Sequence, residues 1–510
     1  MKTSFLLPIL LLGVAGHREL AQAQSSGTFT PTASMATARS YHTATLLLDG
    51  RVLIAGGGTD SVPAAALSSA EIYDPVRQTF TPAGVMVARR SGHTATLLPD
   101  GRVLIVAGDG FGTAELYDPS TGSFTATGSL LMARRAFNAT LLKNGKVLIT
   151  GGVAGSTESG YVIGDAEVYD PSTGVFTAAG TYAGSLASLA TGVFGFASTS
   201  TLLSDGTVLF ATEPTVEIYD AASDTFSLRG TMFVYSHWGG PYAPDYVAGR
   251  TANLLLNGKV LVAGGDQEDT GRFNDAELYD AASGLFAPTG SMIRARSEHT
   301  ATLLPNGSVL MAGGESQICD GTSYCYFSGT ESSAELYDPH NGAFTNAGNM
   351  MVGRELHTAT LLNNGDVLIT GGMAYSGIAM FNGSTASAEL YHPASASSPP
   401  ALFSVSGDGR GQGAIWHATT GEIASAVHPA VAGEILSMYT SGLAESGVIP
   451  PQVSVGSALG EIVYFGAAPG YPGYYQVNFV VPEGAPAGPA VPVRLMYLGR
   501  FSNQVTAGVH

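Results

Sequence analysis

The sequence predicts an all-β protein in two parts, a long array of repeated four-stranded units followed by a smaller β domain. Three observations carry this. A unit of two hairpins recurs seven times at about 50-residue spacing. Composition agrees, because 67 Gly and only 12% charged residues suit turn-rich β structure and disfavour coiled coil or disorder. The repeat then stops near residue 393, where PASASSPP leads into short β-prone runs that no longer repeat.

The first unit shows how each element is encoded. HTATLL and RVLIAGG are apolar, β-prone runs joined by Asp49-Gly50, a dipeptide that supplies the positive φ of a two-residue turn. AEIYD and the strand at Phe80 are joined by a Pro-containing turn. The same first hairpin starts at His42, His93, Phe137, Ser198, Arg250, His299 and His357. The second carries Glu and, two positions on, Tyr: Glu71 and Tyr73 open a series that ends at Glu389 and Tyr391. An aromatic follows in six units, from Phe80 to Phe344.

The period, the Gly-Gly pair and the Tyr-to-aromatic spacing resemble kelch repeats over residues 28 to about 393. The resemblance implies a seven-bladed kelch-type β-propeller, of the galactose oxidase-like central-domain superfamily, over residues 24–393. The seventh unit lacks its last strand, and Gly27 to Met35 matches Gly122 to Leu130. Residues 28–34 are therefore expected to close the last blade and remove the free edges of an open array. Residues 394–401 read as a linker, and residues 402–510 as an immunoglobulin-like β-sandwich. From HPAVAGEILSMYTSGL to Ser502-Asn503 that region resembles the C-terminal module of many secreted bacterial proteins, which implies an accessory or attachment role.

Residues 1–23 read as a bacterial secretory signal: Lys2, an apolar run from Phe5 to Ala15, and Ala21-Gln22-Ala23 as a cleavage site. That run is too short to span a bilayer. The mature chain is expected outside the cytoplasm, extracellular or periplasmic, as a monomer without membrane insertion. A formal charge of −18 argues against nucleic acid or an anionic membrane as partner. Cys319 and Cys325 are expected to form a local disulfide.

Features present in every blade are scaffold. The repeated Glu and Tyr, with Arg39, Arg90, Arg134, Arg296 and Arg354 before the first strand, read as hydrogen-bonded sets, since an inward charge left unpaired is costly. His42, His93, His299 and His357 belong to blades that are consecutive around a closed ring. They either cap the inner strand against a neighbouring blade or form an arc for a metal or anion.

The hairpin turns are tight, whereas the connections on the opposite face carry nearly all the extra length, so a ligand is expected there. Two connections stand out. The blade four-to-five segment holds Tyr235, His237, Trp238, Tyr242, Asp245 and Tyr246; the blade-six loop holds Asp320, Tyr324 and Tyr326 beside the cysteines. Aromatic planes with a few polar groups suit a sugar ring or a peptide.

The layout also resembles the galactose oxidase and glyoxal oxidase family of copper radical enzymes. Arg39-Ser40-Tyr41-His42-Thr43 and Leu48-Asp49-Gly50-Arg51-Val52 carry that likeness. It implies copper on Tyr41 and His42. The family's Tyr–Cys cross-link and C-terminal His have no counterpart here: both cysteines share one loop, and His417, His428 and His510 lie in no motif. The leading expectation is a secreted recognition propeller, non-enzymatic and without cofactor, binding a protein or glycan on the long-loop face. The alternative is a copper radical oxidase or another glycan-active enzyme.

Overall fold

In each unit the second strand is built on a short apolar run; in Val52–Ala55 the run takes in every position, and all four residues are fully buried. An uninterrupted apolar run of this kind belongs to a strand covered on both faces. Val52 and Ile54 pack with Leu362, Leu368 and Leu390 of the seventh unit, while Leu53 and Ala55 pack with Val103 and Ile105 of the second. Each sheet therefore needs a neighbour on either side.

The computed structural model describes residues 27–59, 66–154, 161–181, 199–212, 215–232, 249–267, 271–319, 325–375, 383–395, 398–444 and 447–510. Among them the fold is all-β, with no helix long and apolar enough to cross a membrane. Seven four-stranded antiparallel sheets form the blades of a β-propeller. Their inner strands begin at Thr43, Thr94, Asn138, Thr199, Thr251, Thr300 and Thr358 and touch in that order, with the last returning to the first. Blade seven takes its outer strand from the start of the chain: Thr28–Pro31 pairs with Glu389–His392, setting Phe29 opposite Tyr391. Their rings lie 5.0 Å apart, matching the Tyr73–Phe80 pair at 4.8 Å and its counterparts in the other blades. Phe29 thus supplies the aromatic that the seventh unit lacks.

Charged clamps fix five of the crossovers between blades. Arg39 is fully buried, donates to the Gly56 and Ser69 carbonyls, and pairs with Glu71 at 2.8 Å. Glu71 in turn accepts the Ala36 and Thr37 N–H groups from the segment arriving out of blade seven. The set recurs as Arg90–Glu115, Arg134–Glu167, Arg296–Glu335 and Arg354–Glu389. Gly56 must be glycine: its φ is +59°, and a Cβ would lie 2.7 Å from the Arg90 carbonyl oxygen.

The second domain is a sandwich of two five-stranded sheets around one core that includes Leu436, Met438, Val477, Phe479, Val493 and Leu495. It docks on the hairpin-turn face of the propeller. Arg494 donates to the Leu48 carbonyl at 2.6 Å, the Val448 N–H to the Leu256 carbonyl at 2.9 Å, and the Phe501 N–H to Asn363 Oδ1 at 3.0 Å. Phe501 and Met496 extend the core between blades seven and one. The opposite, long-loop face is not used by these contacts.

Two stability outcomes follow from this packing. Deleting residues 27–35 should cost on the order of 5 kcal/mol, because it unpairs an edge and exposes the Tyr391 ring; an unchanged melting temperature would mean the ring does not depend on this strand. Glu335→Ala should cost roughly 3–5 kcal/mol by stranding the buried Arg296 guanidinium, read as a shift in the denaturation midpoint.

Candidate functional site

Among the described residues, the chain makes the same kink where it enters six of the inner strands. The residue just before the His position has left-handed φ: Tyr41 at 53°, Gly92 at 65°, Ala136 at 53°, Gly249 at 66°, Glu298 at 53° and Leu356 at 52°. Glycine adopts this conformation freely, whereas a side chain there costs on the order of 1 kcal/mol. The kinks are tied to one another around the ring: the Tyr41 N–H donates to the Leu356 carbonyl, the Gly92 N–H to the Tyr41 carbonyl and the Glu298 N–H to the Gly249 carbonyl. Gly249 also makes room for its neighbour, since a Cβ there would lie 3.1 Å from Glu298 Oε1. Because the kinks precede the inner strands, they ring the axial mouth of the long-loop face.

Blades five, six, seven and one bring an acidic and aromatic group together at that mouth. Tyr41, Glu298 and Glu355 come from the kinks; Glu315 and Tyr375 come from the loops of blades six and seven, and Asp266 and Arg272 from a short hairpin in blade five. The loops are fastened to the kinks, as the Glu315 N–H donates to the Ser297 carbonyl and the Glu355 and Met373 backbones exchange hydrogen bonds. Tyr375 is held through its N–H to Thr330 Oγ1 at 3.2 Å.

Glu355 is 3% exposed and hydrogen-bonds Glu315, while its Oε2 has no partner among the described residues. Burial, then the charge and hydrogen bond of Glu315, then Glu298 push its carboxyl up to about 10. Glu298 rises to about 8, again chiefly by burial, with Asp266 and Glu315 adding repulsion. Glu315 is ion-paired with Arg272. Burial and the surrounding carboxylates also raise the Tyr41 and Tyr375 phenols. At neutral pH the mouth therefore holds protonated carboxyls that donate as well as accept hydrogen bonds.

The candidate histidines bridge blades. His42 Nε2 bonds Thr358 and Thr370 of blade seven at 3.1 and 3.0 Å, His93 bonds Thr43, His299 bonds Thr251, and His357 bonds Thr300. Burial, with nearby guanidinium charges, lowers all four imidazoles, His93 and His299 to about 3. Among the described residues no three His, Cys, Asp or Glu side chains gather as metal ligands. Tyr235, His237, Trp238, Tyr242, Asp245 and Tyr246 lie outside the described residues, as do Asp320 and Tyr324. The backbone register sets Tyr326 opposite Ile318 and Cys319 opposite Cys325. Sequence reasoning singled out Tyr41 but passed over Glu298, Glu315, Glu355, Arg272 and Tyr375. Glu298 had a signal, because it carries a long side chain at a position that is Gly or Ala in four of the seven repeats.

No family model matches this chain, and no curated protein matches it. Among solved structures, a fungal alcohol oxidase of the AA5 family in complex with copper aligns over 95% of this chain and 100% of its own, at 17% identity and a TM-score of 0.61. YjhT aligns over 70% of this chain and 95% of its own, at 16% identity and a TM-score of 0.43. The oxidase likeness shows a shared fold. Of the donors that the copper resemblance implied, His42 spends its Nε2 on two threonines, and the sandwich's His417 is held by Glu434 and the His428 carbonyl.

The raised carboxyls have a pH consequence. The folded chain keeps protons on Glu298 and Glu355 that the unfolded chain releases above about 4.5, so their contribution to stability is full below that pH and is lost as pH rises towards 8 and then 10. The double variant Glu298→Gln, Glu355→Gln should flatten the fall in melting temperature between pH 5 and 9 and gain on the order of 1–3 kcal/mol at pH 9. A variant whose melting temperature tracks the wild type across that range would show that the two groups titrate normally.

Proposed function

We propose that this chain is a recognition propeller acting outside the cytoplasm, and that the axial mouth of its long-loop face binds a basic group presented by a glycan or a protein. The observation that carries this reading is the convergence of Glu298, Glu315 and Glu355 with Tyr41, where burial, with repulsion from neighbouring carboxylates added, keeps protons on two carboxyls. An ammonium or guanidinium group would replace those protons and take up the unpartnered Glu355 Oε2. The tyrosine rings offer faces to the carbon framework around the charge. Arg272 is already engaged by Glu315 and serves to orient that carboxylate.

Titration calorimetry with a glucosamine hexamer, its N-acetylated counterpart and a lysine-rich peptide tests this. The amine-bearing ligands should bind with proton release, seen as a heat that depends on the buffer, and Glu298→Gln, Glu355→Gln should weaken them at least tenfold. Equal binding of the free and acetylated hexamers, or an unaffected double variant, would remove the mouth from recognition. Stoichiometric copper uptake with turnover of primary alcohols would support the oxidase reading instead.

A further inference from the structure

The sandwich carries a second surface that the mouth does not explain. In the strand Ile435–Ser441, Leu436, Met438 and Thr440 point into the core, which turns Ser437 and Tyr439 outward. The neighbouring strand Tyr475–Val480 buries Val477 and Phe479 and turns Gln476 and Asn478 to the same side. Trp416, opposite Ser437 on the short strand Ile415–His417, completes the row. Tyr439 stands between two further rings, with Trp416 at 5.6 Å edge-on and Tyr471 at 6.3 Å. Tyr471 sits in the turn before Tyr475–Val480 and is 63% exposed.

A polar ladder runs alongside the rings. Ser437 Oγ donates to Asn478 Oδ1 at 2.8 Å, and Gln476 Nε2 donates to Ser437 Oγ at 3.1 Å and to Asn478 Oδ1 at 2.9 Å. This network orients both amides and uses neither the Gln476 carbonyl nor the Asn478 amino group. None of these six residues is charged, in a chain whose formal charge is −18. The contacts to the propeller come from the other sheet, through Arg494 and Phe501, and from Val448, so this face looks away from the propeller.

We infer that this face of the sandwich binds a neutral, extended polysaccharide. Rings held at an angle to one another, beside pre-oriented amides, match the alternating apolar faces and hydroxyl edges of linked pyranoses. Absence of charge selects a neutral ligand over a nucleic acid, an anionic membrane or the basic group proposed for the mouth. The three strands involved, at ~4.8 Å spacing, give a platform on the order of 10 Å wide before Tyr471 extends it. The two sites lie on different domains, so the sandwich would hold the chain on a polymer while the mouth engages its own ligand.

Retention of the full chain on cellulose, chitin, xylan and galactan tests the inference. The wild type should be retained by at least one of them, Trp416→Ala and Tyr439→Ala should each weaken retention at least tenfold, and Trp416→Tyr should restore most of it. Glu298→Gln, Glu355→Gln should leave retention unchanged, which separates this site from the mouth. Retention on none of the four polymers, or equal retention of the alanine variants with unaltered melting temperatures, would overturn the proposal. So would concentration-dependent dimerisation that Trp416→Ala abolishes, since the face would then be covered by a second copy.

Discussion

The constraint on which everything else depends is the burial of every second strand on both faces. Val52–Ala55 and its counterparts share a buried apolar run, so a blade with only one neighbour would leave half of that surface in water. A linear stack would carry two such faces, one at each end. A ring carries none, and the strand Thr28–Pro31 makes the ring a continuous set of hydrogen-bonded sheets by binding the two ends of the propeller chain together.

With apolar contacts holding the blades, polar groups fix their spacing. The Arg–Glu clamps neutralise a buried guanidinium and at the same time satisfy backbone N–H groups in the crossover, so each does the work of a cap there. The inter-blade His–Thr bonds do the same at the inner strands. These repeated positions are committed to the scaffold. What the scaffold leaves open is the kink described before six of the inner strands, where the fold needs only a left-handed φ and glycine suffices. Tyr41, Ala136, Glu298 and Leu356 occupy that position at a cost in backbone strain; of these Tyr41 and Glu298 bring polar groups, and Glu355 lies one residue from Leu356. Side chains the fold does not require, placed where they are costly and gathered from different blades, are the physical signature of a site.

The two faces of the propeller divide the remaining roles. Tight Asp-Gly and Asn-Gly turns give a low, regular surface on which the sandwich docks through a few hydrogen bonds and the Phe501 ring. The loops of the other face are long enough to form hairpins of their own, and Asp266, Arg272 and Glu315 reach the axis from them.

The strands, their turns and the sevenfold repeat were legible in the sequence because each is written in neighbouring residues: alternation or continuity of apolar side chains, Asp49-Gly50 at a turn, Tyr followed by an aromatic at fixed distance. The four histidines were visible as a recurring position, but their partners were not, since Thr358 lies 316 residues from His42. The acidic mouth was less legible still. Glu298 and Glu355 are unremarkable charges in isolation, and the raised carboxyls exist only because the ring brings blades five, six, seven and one to one axis and shields them from water. Periodicity is local and survives in a one-dimensional chain, whereas convergence and desolvation depend on the summed rotations of seven blades, which only the closed tertiary structure fixes.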